Sequence, residues 1–284
     1  MTRFSSFAVV DWSSGNDTGA RPRKDAIWAG AVLGGRELDP VYLRNRDTAM
    51  AWLCQLISSE LDHGRRLMIG FDFPFGYPEG FATALTGAAD PLEVWEFYAR
   101  NLDDTPRGNT RFDLAGALNA QLPGTGPFWF NGLKRDVAHL PRKKHDRTPD
   151  HGQAERRRAE CRAQGSFTCW QMGGAGSVGG QVMTGMARLA RLRQVFPGKI
   201  AVWPFEPLTR HVALVEVWPS LLRDVVAAEG DAIKDRAQVR LTARALAGVS
   251  GDILDRMLLV DEPEEGWILG LGHEAPLAEA ACRF

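Results

Sequence analysis

Four acidic residues of this 284-residue chain sit where an ionised side chain is costly. Asp11 closes the apolar run FAVVD, Asp72 closes RLMIGFD, Glu216 interrupts VALVEVW and Asp235 opens the helical stretch IKDRAQVR. A carboxylate at the end of a buried strand needs a partner, and several carboxylates converging on one place repel one another. The common remedy is a divalent cation with oxygen ligands, Mg²⁺ or Mn²⁺. Two such ions ~3.5–4 Å apart activate water and stabilise the leaving oxygen in phosphodiester cleavage. Metal-dependent phosphodiester hydrolysis is therefore the chemistry this set points to, with Asp11, Asp72, Glu216 and Asp235 as metal ligands and catalytic groups. Each acid taken singly also reads as a helix cap or half of a salt bridge. Asp252 and Asp255, three apart in GDILDRMLL, rival Asp235 as the helical contributor.

The elements that must position these acids follow from hydrophobic periodicity. Residues 7–12 and 25–33 read as strands joined by the polar loop SSGNDTGARPRK, and a weaker third strand covers 37–43. A helix capped by Asp47 buries Met50, Leu53, Cys54, Ile57 and Leu61 and ends at His63-Gly64. Residues 66–71 form a fourth, nearly all-apolar strand, as expected of one buried on both faces. Asp90-Pro91 starts another helix, and residues 109–119 and 182–195 carry further helical patterns. A short apolar segment at 200–203 precedes a fifth strand at 212–218. Helices near 221–228 and 232–247 and an extended segment at 267–271 follow. The order predicts an α/β fold: a mixed sheet flanked by helices, with the first, fourth and fifth strands side by side. The chain reads as a single domain, 1–284, with residues 121–180 as a helical and irregular insertion between strands four and five.

Composition excludes several classes. With 44% hydrophobic and 24% charged residues the chain can bury a core, and no apolar run approaches the ~18 residues of a membrane helix. The four cysteines show no CxxC spacing, which suits reduced thiols and a cytoplasmic location. A formal net charge of −1 exerts no global pull on nucleic acid or membrane.

Charge is instead local. Between Lys134 and Arg162 stand ten Lys and Arg against five Asp and Glu, flanked by Phe128, Trp129, Phe130, Phe167 and Trp170. A basic run beside aromatics suits a nucleic-acid backbone with stacked bases; the plainer reading is a solvated, internally paired surface. His139, His145, His151, Cys161 and Cys169 share the stretch without any zinc-site spacing. The loop GGAGSVGG leads into a helix, so Gly176 and Ser177 can meet an anion there, although the Lys-Ser/Thr ending of a P-loop is absent. Ser13 and Ser14, just after Asp11, offer a second phosphate-contacting turn.

Taken together, DWSSG, GFDFPFGYP, EVWPS, IKDRAQVR and EEGWILG, with RFDLAGALN, GPFWF, GGAGSVGGQVMTG and VWPFE, resemble an uncharacterised bacterial family. That family has an expected ribonuclease-H-like fold and is related to the Holliday-junction resolvases. Some members of the matching branch carry the label molybdopterin guanine dinucleotide synthesis protein. The resemblance covers most of the chain and implies a nuclease, with acids on the first and fourth strands and on a late helix. Asp11, Asp72 and Asp235 match those places, Glu216 is a further candidate, and nucleic acid is the implied partner. The sequence departs from the resolvase-like pattern at Gln238, where relatives carry a second helical acid. Two other readings stand beside it. One is a nucleotide-binding phosphotransferase or accessory protein using Ser13, Ser14, Gly176 and Ser177. The other is a non-catalytic interaction protein presenting GPFWF and its tryptophans.

Overall fold

The computed structural model describes residues 4–105 and 107–283. In chain order the elements are β1 (Ser6–Asp11), β2 (Ile27–Leu33), β3 (Arg36–Arg44), α1 (Arg46–Asp62) and β4 (Leu67–Phe71). Next come α2 (Phe81–Thr86), α3 (Pro91–Asn101), the two-residue strands β5 (Asp104–Thr105) and β6 (Gly108–Asn109), α4 (Arg111–Asn119), α5 (Arg158–Arg162) and α6 (Gly179–Val195). The chain continues with β7 (Ile200–Val202), β8 (Val212–Glu216), α7 (Arg223–Glu229), α8 (Lys234–Gly248), α9 (Gly251–Leu258) and α10 (Glu274–Arg283). The fold is α/β, with a mixed six-stranded sheet flanked by helices. No described helix is long and apolar enough to cross a membrane, and none of the four cysteines is disulfide-bonded.

The contacts divide the chain into two compact units. The first comprises the stretch up to Phe73, Leu192–Asp261 and the segment from Ile268 onward; the second comprises Pro74–Arg191 and Glu262–Trp267. The first unit holds the sheet, in the order β3-β2-β1-β4-β8-β7. β1 pairs antiparallel with β2 and parallel with β4; β4 pairs parallel with β8, and β8 with β7. The first, fourth and fifth expected strands are thus neighbours, and the segment at 200–203 supplies the edge strand β7 beyond them. The interior strands β4 and β8 are buried along their whole length, as parallel strands covered on both faces require. β3, at the other edge, alternates charged and exposed positions and carries Pro40, residues that discourage pairing with another chain. The segment expected at 267–271 makes one isolated bridge, Glu216 to Ile268.

Helix α8 packs along β1, β2 and β3. Its approach to β2 is so close that a Cβ on Gly30 would lie 2.7 Å from the carbonyl of Val239. α1 is capped not by Asp47 but by Asn45, whose side chain accepts from the N–H groups of Asp47 and Thr48. Asp47 sits in the first turn instead, where its charge favours the helix dipole.

The second unit is built on aromatic packing. Tyr77, Phe81, Phe128 and Trp170 form a buried cluster with ring centroids 4.5–5.8 Å apart. Residues 262–267 are threaded through this unit: Glu264 and Glu265 accept from the N–H groups of Gly80 and Glu79 at 2.7 and 2.9 Å. A Cβ on Gly76 would stand 2.5 Å from the Glu265 carbonyl, which explains the glycine in FPFGYP. The stretch 121–180 belongs to this unit and is largely irregular, holding two single-turn helices and α5.

Gly30→Ala will force the α8 backbone off the sheet. A loss of about 1–3 kcal/mol in urea denaturation is expected, as for other overpacked contacts.

Candidate functional site

All the strand-borne acids lie in the first unit, so their relation follows from its register. The last paired row across the parallel strands is Val10–Phe71–Glu216. One residue further come Asp11 and Asp72, at the carboxyl ends of adjacent strands. Side chains alternate between faces, so Asp11 and Asp72 share the face of Val9, Gly70 and Gly30, which is the face covered by α8. Glu216 shares a row with Val10 and Phe71 and therefore points to the opposite face. It is 2% exposed and does not join the other acids. The sequence reading placed it at the right edge but on the wrong side, because the register between β4 and β8 decides the face by a single residue.

The Asp11 and Asp72 carboxyls face each other closely enough that each acts on the other's ionisation. Burial is the main cause, and it raises both; the charges of Asp72 and Asp235 add to the rise at Asp11, and that of Asp235 to the rise at Asp72. Asp72 is the better stabilised anion. The Trp12 backbone N–H donates to its Oδ1 at 2.7 Å, and its ionisation lies at about 7. Asp11 is held well above the usual carboxylate range. The two groups are coupled, so they titrate as a pair rather than singly. Trp12 is fully buried against Phe71 and Phe73, which fixes the donor.

Asp235 stands in the first turn of α8 and acts on both strand acids through its charge. Its carboxylate accepts from the Asp25 backbone N–H at 2.8 Å, and burial raises its ionisation. Asp25 has a left-handed backbone (φ 59°) and adds its own negative charge beside Asp11 and Asp235. Sequence reasoning passed over Asp25, which looked like the first residue of a strand. Of the rival pair on α9, Asp255 lines a groove with Phe4, Phe7 and Arg66, at the opposite end of the sheet, where β1 and β4 begin. Asp252 lies in the first turn of the same helix. Gln238 is one turn along α8 from Asp235.

The loop between β1 and β2 is held from below. Arg46, 1% exposed, donates to the carbonyls of Ser13 and Gly15 at 3.0 and 2.7 Å and to Asn16 Oδ1 at 2.6 Å. The Tyr42 hydroxyl donates to Asp17, and burial together with that bond pushes its ionisation up to about 12. Ser13 Oγ donates to the Asp25 carbonyl at 3.0 Å and accepts from the Gly15 N–H. The Ser13 hydroxyl thus shapes the turn.

Gly176 and Ser177 belong to the second unit. There the glycines make room for rings, Phe167 against Gly176 and Phe130 against Gly173 and Gly174. The Ser177 and Gly179 amides are used internally, on the carbonyls of Gly174 and Gln171.

The basic run 134–162 is largely paired within its own unit. Arg135 binds Asp113, Arg142 binds Asp136, Lys144 and Arg147 bind Glu155, Arg157 binds Glu160, and Arg158 binds Glu262 and Glu79. Arg162 lies over the Trp267 ring.

Comparison with protein-family models, curated proteins and solved structures returned no match.

Among the described residues no three His, Cys, Asp or Glu side chains stand ready-made as a metal-binding group. The donor chemistry at Asp11 and Asp72 nonetheless fits a hard divalent cation. Both donors are carboxyls at the ends of adjacent strands, and a third acts on them through its charge.

The raised ionisation has a thermodynamic consequence in the metal-free protein. Both carboxyls ionise at higher pH folded than unfolded, so the folded state binds extra protons. The stability this pair contributes is fully present below about pH 4 and is lost as pH rises through about 7. Asp72→Asn keeps an acceptor for Trp12 and removes the charge. Its melting temperature should exceed wild type by a few degrees, about 2–4, above pH 7, with the gap closing toward pH 4.

Proposed function

We propose that this chain is a divalent-metal-dependent phosphodiester hydrolase of ribonuclease-H-like architecture acting on nucleic acid. The observation that carries the reading is the contact between the Asp11 and Asp72 carboxyls at the ends of adjacent parallel strands, with Asp235 beside them. The strand order supports it. An antiparallel β1-β2-β3 start is followed by parallel β4 and β8, and this brings the acids of strands one and four to one edge, as the family resemblance implies.

Asp11 and Asp72 are the residues that would hold Mg²⁺ or Mn²⁺, with Asp235 as the third oxygen donor. When bound, such an ion supplies Lewis-acid stabilisation of a phosphoryl oxygen and acidifies a water for attack. The chain's own contribution is to gather the charge and keep it in place. The Trp12 N–H orients Asp72, partial burial weakens solvent screening of the pair, and the Asp25 N–H fixes Asp235. Because burial raises the ionisation of both acids, loading would require them to lose protons, so affinity for the cation should rise with pH. Glu216, on the far face, takes no part in holding it.

Calorimetric titration with Mn²⁺ tests the reading. Wild type should bind and hydrolyse a nucleic-acid substrate, whereas Asp11→Asn and Asp72→Asn should each lose on the order of a hundredfold in affinity and activity. Cleavage that persists in both variants would remove the proposal.

A further inference from the structure

Two unpaired, exposed lysines adjoin the carboxylates in the chain. We propose that Lys24 and Lys234 form a phosphate-holding rim on the Asp11–Asp72–Asp235 centre, and that its substrate is a polyanionic strand whose neighbouring phosphate rests between them. The inference rests on the hydrolase reading and names the surface by which that centre engages its substrate.

The placement follows from one hydrogen bond. The Asp25 N–H donates to Asp235 at 2.8 Å, and Lys24 and Lys234 each precede one member of that pair. Both lysines thus adjoin the same contact in the chain, and both are exposed. Neither forms an ion pair or hydrogen bond among the described residues. Their sequence neighbours differ in this respect: Arg23 pairs with Asp17, and Arg236 is held by Asp231 at 2.6 Å. The loop's basic partners are thus divided between those that maintain the fold and those left facing solvent.

A rim of this kind meets a chemical need. Asp11, Asp72, Asp235 and Asp25 concentrate negative charge where a phosphate ester must approach, and an unscreened polyanion would be repelled. Lysine, a compact and strongly hydrated cation on a flexible stem, suits contact with phosphate without base selection. The run from Lys134 to Arg162, which looked like the nucleic-acid surface in the sequence, spends most of its charge on Asp113, Asp136, Glu155, Glu160 and Glu262.

The test uses the full chain and a fluorescein-labelled oligothymidylate of about ten nucleotides, read by anisotropy over a range of salt concentrations. The double variant Lys24→Ala/Lys234→Ala should bind about tenfold more weakly. The slope of log affinity against log salt should shrink by about 1.4, the loss of two single-strand phosphate contacts. Lys134→Ala/Lys143→Ala, in the second unit, should bind as wild type does. Unchanged affinity in the first variant, an equal loss in the second, or no binding by wild type would each overturn the proposal. Mn²⁺ calorimetry on the same proteins separates the two readings. Lysine-dependent binding without any Mn²⁺ uptake would sink the hydrolase and leave the rim standing.

Discussion

The parallel pairing of β1 with β4 is the constraint from which the rest of this site follows. Each strand is apolar until its last turn of pleat and then ends in aspartate, so aligning the strands in register sets two carboxyls against each other. The repulsion is not relieved by a nearby arginine, as it is at Glu60, where Arg65 holds the carboxylate below its ordinary range. At the strand ends no arginine pairs with Asp11 or Asp72 among the described residues, and burial together with the neighbouring acids raises both carboxyls instead. A fold that keeps such a pair gives up stability near neutrality, and catalytic centres are where that trade is commonly found.

Much of this was legible in the sequence, for definite reasons. Apolar runs such as MIGF and VALV mark strands buried on both faces, and their adjacency follows from simple crossover rules. Asp11 and Asp72 stood out because each closes such a run, and Asp235 because it opens the helix that follows the fifth strand. The face of Glu216 was not legible, since it depends on a one-residue register between strands far apart in the chain. Nor was Asp25, whose part in the site comes from a backbone N–H and a left-handed turn. β7 was read as a mere apolar segment because three residues carry too little periodicity to declare a strand.

The insertion illustrates the opposite error. Counting charges along 134–162 suggests a surface for polyanions, but its acids and arginines interleave so that neighbours neutralise one another in space. Glu262 and Glu265 complete that network from a segment about a hundred residues away. The late EEGW stretch thus helps clamp the second unit through Glu265.

Arg46 has a broader meaning. Two of the acceptors it reaches are main-chain carbonyls, which every residue type offers alike. The path of the loop after β1 is therefore held in part by a buried side chain on α1, together with the Tyr42–Asp17 bond from β3. Exposed positions such as Arg21 and Lys24 can change without removing those tethers, so the loop's surface chemistry is set separately from its course.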